Sequence, residues 1–140
     1  MPFLSPFNAI QSLFANARSL FSITESQSTD ATSGTSALGQ FTLDGSAWAS
    51  STTLQLQSVM SVSDGALTGT LILYNLTDAE VVATQTTSST SPVSQSTPLT
   101  IGAAVGDIKT SAKTYEIRLS VSGSTAVDIV SLGSAVLVTN

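Results

Sequence analysis

The chain has 140 residues, a net charge of -5, only 9% charged residues, and neither histidine nor cysteine. The missing residue types remove the commonest general base, thiol chemistry, disulfide frameworks and nearly every zinc, copper or haem site. Four basic residues give no electrostatic footprint for nucleic acid. Solubility rests instead on neutral Ser and Thr hydroxyls, a composition that suits the outside of a large particle or cell.

The first 21 residues hold four of the five phenylalanines: Phe3, Phe7, Phe14 and Phe21. Ser5 can cap a helix and Pro6 suits its first position, while Phe7, Ile10, Phe14, Ala17 and Phe21 recur at helical spacing. Leu13 and Leu20 widen this stripe, and Asn8, Gln11, Ser12, Asn16, Arg18 and Ser19 form a polar side. The pattern predicts an extended N-terminal arm over residues 1–23 containing a short amphipathic helix. Its apolar residues Phe3, Leu4, Phe7, Ile10, Leu13, Phe14, Leu20 and Phe21 are the candidate partner-binding set, since an arm this apolar beside a polar body is best buried in a neighbour. Packing of the helix on its own domain is the competing reading. Polar residues inside the apolar run, with the only basic residue of the segment near its end, do not match a signal peptide. The polar face also argues against a membrane span, which needs about 20 predominantly apolar residues.

Residues 24–37, TESQSTDATSGTSA, contain no large apolar side chain. This is the composition of a tether, and at about 3.3 Å per residue it would reach up to roughly 45 Å.

From Leu38 onward, short runs rich in Val, Ile, Leu and Thr alternate with turn residues. Strands are expected at 38–44, 52–60, 67–75, 80–87, 97–104, 113–122, 126–132 and 134–139. The clearest has Tyr115, Ile117, Leu119 and Val121 alternating with Glu116, Arg118, Ser120 and Ser122. Asp44-Gly45 and Asp64-Gly65 are turn dipeptides. The fold class is therefore all-β, with residues 38–140 forming one β-sandwich domain of seven or eight antiparallel strands. The run Ala135, Val136, Leu137 and Val138 does not alternate, so it reads either as a self-association strip or as a central strand covered on both faces.

Nothing in the chain combines a nucleophile with an activating base, so an enzyme is not expected and no cofactor is implied. Asn75-Leu76-Thr77 matches a glycosylation acceptor, but Asn75 is better read as a turn residue at a strand end. Asp64, Asp78, Asp107 and Asp128 are expected in turn or surface roles rather than at a calcium site, because no Asp-x-Asp-x-Asp loop occurs. Gly102-Ala-Ala-Val-Gly106 lacks the features of a phosphate loop and reads as a connection. Trp48 and Tyr74 are the two aromatics that could serve as a sugar-stacking surface.

The segments GALTGTLILYNLTDAEVVATQTTSSTSP, TYEIRLSVSGS and SAVLVTN resemble the jelly-roll-like β-sandwich domains of virion surface proteins of tailed bacteriophages. With its arm, the whole chain resembles capsid cement (decoration) proteins. That resemblance implies a β-body that trimerises on the outer capsid surface and an arm that grips neighbouring subunits, with the major capsid protein and copies of itself as partners. One alternative is a subunit of an extracellular filament or surface layer, in which the N-terminal segment inserts into the next sandwich. Another is a carbohydrate-binding or host-attachment module, which would need Trp48.

Overall fold

The computed structural model describes residues 18–48 and 53–139. The chain there forms strands β1 (Arg18–Ile23), β2 (Gln27–Asp30), β3 (Ser36–Asp44), β4 (Leu54–Val62), β5 (Gly69–Asn75), β6 (Glu80–Thr87), β7 (Val93–Leu99), β8 (Ala112–Val121) and β9 (Ile129–Thr139), with one 3-10 turn at Gly45–Ala47. They build two antiparallel sheets, a β-sandwich as expected. One sheet has the order β1-β9-β4-β7, with β2 also on β9, and the other has the order β3-β8-β5-β6.

The pairing is nested. β1 and β2 pair with β9, β3 pairs with β8, β4 with β7, and the central β5 with β6. The chain thus behaves as one long antiparallel ribbon, closed at the β5–β6 turn and wrapped so that successive rungs fall in alternate sheets. Lateral pairs β4 with β9 and β5 with β8 then complete each sheet.

Period-two alternation fills the space between the sheets. In β4 Leu54, Leu56, Met60 and Val62 point inward, in β5 Leu71 and Leu73, in β8 Tyr115, Ile117 and Leu119, and in β9 Val130, Leu132, Ala135 and Leu137; all are buried. Each fully buried large side chain contributes roughly 1.5–3 kcal/mol. A buried amide reaches across this layer. Gln85, from β6, accepts a hydrogen bond from the Ser58 hydroxyl (2.6 Å) and donates to Leu56 O (2.9 Å) and Thr97 Oγ1 (3.0 Å). It joins the edge of one sheet to β4 and β7 of the other, with its buried amide satisfied on both sides.

The structure changes the sequence reading in four places. The two strands expected at 126–132 and 134–139 are one, Ile129–Thr139. Val59 pairs with Ser134 and Met60 with Leu132, leaving Gly133 as an extra residue in β9. This bulge shifts the inward positions from 130 and 132 to 135 and 137, so the apolar run loses its alternation without ending the strand. The strand expected at 97–104 lies at Val93–Leu99 instead, because its Ser-rich residues pair in register with β4 from Met60 to Leu54. The helix expected in the arm is not formed at its C-terminal end: Arg18–Ile23 is an edge strand on β9. The rest of that helix and the arm residues 1–17 lie outside the described residues. Finally, residues 24–37 are not a free tether. Gln27–Asp30 pairs with β9, and the Asp30 carboxylate accepts from the backbone N–H groups of Thr32 (2.8 Å) and Ser33 (2.9 Å), turning the chain toward β3. Strand pairing uses backbone groups, so a segment without large side chains can still complete an edge, and Ser, Thr and Asp serve its turn.

Candidate functional site

Of the arm residues singled out for partner binding, Phe3, Leu4, Phe7, Ile10, Leu13 and Phe14 lie outside the described residues. Leu20 and Phe21 pack against the sandwich's own core. The Phe21 ring stacks on Phe41, and Phe41 stacks on the buried Tyr115. These two residues therefore close one side of the sandwich.

The four residues considered for self-association divide by the pleat. Ala135 and Leu137 point into the core, each 1% exposed, while Val136 and Val138 point outward and are half-buried. The outward face is what they share with their neighbours. Register places Ser22 and Gln57 beside Val136, Gln55 beside Val138, and Val59 beside Ser134, with Ser94, Ser96 and Pro98 across β4. A shallow cleft of about 390 Å³ runs over this face between Gln57, Val59, Ser94, Ser96, Ser134 and Val136. No charged residue occurs anywhere on β4, β7 or β9. The face offers amides, hydroxyls and methyl groups to whatever covers it. Sequence reasoning missed it because the residues come from three distant strands, although each strand's lack of charge was legible.

The outer face of the other sheet is different. Glu116 on β8, only 6% exposed, accepts from Arg118 Nε (2.5 Å) and Gln40 Nε2 (2.7 Å). The adjacent Arg118 guanidinium is the main cause holding the Glu116 carboxyl below the usual carboxylate range, with Gln40 adding to it against the opposing cost of burial. The same guanidinium lies 3.7 Å from the centre of the Tyr74 ring. Tyr74 is therefore capped by an arginine and is not an open stacking surface. Trp48 is half-buried at the end of the 3-10 turn, packed against the core and bordering a second cleft.

The acidic residues serve turns. Asp64 accepts from Ala66 N, Asp107 from Ala104 N, and Asp128 from Ser124 N and Thr125 N, while Asp78 pairs with Lys113 at 2.8 Å. Backbone hydrogen bonds from Ser124 and Thr125 lower the Asp128 pKa. Asn75 is fully buried, with its amide donating to Asp78 Oδ2 and accepting from Asp78 N, the turn role expected for it. Among the described residues, no group of three or more Asp or Glu side chains is arranged to hold a metal ion, and no helix is long and apolar enough to cross a membrane.

No family pattern and no curated protein matches the chain. Among solved structures it is similar to a chain of infectious bursal disease virus, Gx strain, with a TM-score of 0.46 and 19% identity; the match covers 88% of this chain and 32% of that one.

Proposed function

We propose that the chain is a structural protein of a virion, seated on the outer surface of a capsid as a cement or decoration protein. In this reading it binds the major capsid protein and further copies of itself, three to an assembly, and residues 1–17 grip neighbouring subunits. It performs no catalysis.

The observation that carries the reading is the uncharged outer face of β9, β4 and β7. Soluble protein surfaces usually carry roughly 25–35% charged residues. A face without them loses no charge hydration when another protein covers it, and its amides and hydroxyls can pair across an interface. Two further features agree. The nested strand order is that of a jelly roll, an architecture used by capsid and lectin domains. Residues 1–17 carry no charged side chain and precede Arg18, which pairs with Thr139 on the sheet that carries the uncharged face.

The test is to place charge on that face. Gln57→Lys combined with Val136→Lys changes only outward positions, and is expected to leave the sandwich folded while reducing the native mass to that of a monomer and blocking incorporation into particles. Unchanged native mass and incorporation would remove the face from the assembly. Phe7→Ser with Phe14→Ser tests the arm separately, with loss of incorporation but retained self-association as the expected result.

A second reading, a filament subunit, draws support from β7. This edge strand carries no charged residue to discourage pairing with another chain. Filaments visible by electron microscopy from purified protein would favour it over the capsid.

A further inference from the structure

The 3-10 turn at Gly45–Ala47 leads straight into Trp48, and hydrogen bonds hold the turn. The Asp44 carboxylate accepts from Ser46 N (2.9 Å) and Ser46 Oγ (2.6 Å), and Gly45 N donates to Lys109 O (2.8 Å). Gly45 is required by close approach: a Cβ there would lie 2.5 Å from Lys109 O and 2.7 Å from Ile101 Cγ2. Beside this turn opens a cleft of about 360 Å³ between Gly45, Ser46, Trp48 and Thr53 on one side and residues of the β7–β8 connection on the other. Trp48 forms one wall, Leu99 and Ile101 supply apolar surface, and Thr53, Thr100 and Thr110 supply hydroxyls. Those three hydroxyls have no hydrogen-bond partner among the described residues.

We propose that this cleft is a binding site for neutral carbohydrate, with the Trp48 indole as the platform on which a pyranose ring stacks.

The chemistry of the cleft selects that class. A pyranose presents an apolar face of C–H groups and a rim of hydroxyls, so it needs an aromatic surface ringed by groups that both donate and accept hydrogen bonds. Trp48 and the three threonines meet both needs in one place. The size lies within the roughly 300–1,000 Å³ of small-molecule sites. Among the described residues, no charged side chain lines the cleft. The nearby Lys109 ammonium is already held by Glu80 Oε1 (2.6 Å) and Ala104 O (2.5 Å), so it is not available to an anionic sugar. Trp48 packs against the core, a contact that favours a ring positioned before binding. Tyr74, the other aromatic considered for sugar binding, is excluded by the arginine over its ring. The inference is independent of the virion reading: it concerns the loop end of the sandwich and not the uncharged sheet face.

Trp48 is the chain's only tryptophan, so its emission reports on this cleft alone. The full-length protein is screened on an array of neutral, sialylated and sulfated glycans, and neutral hits, together with maltotriose, cellotriose and chitotriose, are titrated while tryptophan emission is followed. The expected result is a saturable emission shift with at least one neutral glycan and none with its sialylated counterpart. Thr100→Val with Thr110→Val should weaken that binding about tenfold while leaving the thermal melt in place. The proposal is overturned if no neutral glycan gives a saturable shift, if the double variant binds as tightly as the parent, or if a folded Trp48→Ala variant still binds. Should Trp48→Ala fail to fold, the threonine double variant decides the matter.

Discussion

Phe21 lies stacked on Phe41, with ring centroids 4.4 Å apart and planes inclined by 19°. Phe41 continues the stack to Tyr115 at 5.8 Å. The contact ties the outermost strand of one sheet to β3 and β8 of the other, and Gly39 leaves room for the tip of the Phe21 ring, which a Cβ would approach to 3.0 Å. Phe21 and its strand therefore belong to the sandwich body.

Phe21→Ala is expected to destabilise the sandwich by about 2–3 kcal/mol, somewhat below the 3–5 kcal/mol of a fully buried phenylalanine because the ring is only partly covered. Urea denaturation followed by far-ultraviolet circular dichroism measures it. Deleting residues 1–17 should leave the midpoint nearly unchanged, whereas a fragment beginning at residue 38 lacks β1 and β2, exposes the edge of β9, and should aggregate or unfold.

Gln85→Leu is expected to cost about 2–3 kcal/mol, since it strands the buried Ser58 hydroxyl and removes a donor from Leu56 O. Adding Ser58→Ala should recover part of that loss. A double-mutant cycle reads the coupling, and strictly additive losses would show that the two side chains do not act together.

Ala79, in the β5–β6 turn, has φ of 57°, a left-handed conformation that disfavours a side chain. Ala79→Gly relieves that strain at the cost of a freer unfolded chain, for a net stabilisation of about 0.5–1 kcal/mol. A raised thermal midpoint with unchanged native mass is the expected outcome; a lowered one would mean that Ala79 makes contacts worth more than the strain.

The pH response follows from the direction of each shift. Glu116 is lowered by Arg118, Asp30 by the Thr32 hydroxyl, Asp44 by Ser46, and Asp128 by the Ser124 and Thr125 N–H groups. A carboxylate with a depressed folded pKa adds stability above its unfolded value and loses it as pH falls through the folded one. Stability should therefore decline below about pH 4. Tyr115 is raised by burial and Lys109 by its ion pair with Glu80. Their contributions are complete below about pH 10 and disappear as pH rises through the folded values. Denaturation midpoints from pH 2.5 to 11 test both limbs, and Glu116→Gln should flatten the acid limb alone.

The sequence by itself determined the fold class and most of the core. Alternation in Tyr115, Ile117 and Leu119 reports a half-buried strand wherever it occurs, because the pleat turns every second residue to the same side. It also excluded the chemistry of histidine and cysteine, and it revealed that long stretches carry no charge. Tertiary structure decided what depended on partners far along the chain. Arg18–Ile23 has a helical spacing of apolar residues yet forms a strand, since β9 offers an unpaired edge and the Phe41 ring a place for Phe21. Gln27–Asp30 became a strand through backbone hydrogen bonds that no side-chain pattern announces. The uncharged sheet face and the cleft at Trp48 likewise exist only after folding, because each gathers segments that lie far apart along the chain. Period and composition are local properties, whereas edges, faces and clefts are made by pairing between distant segments.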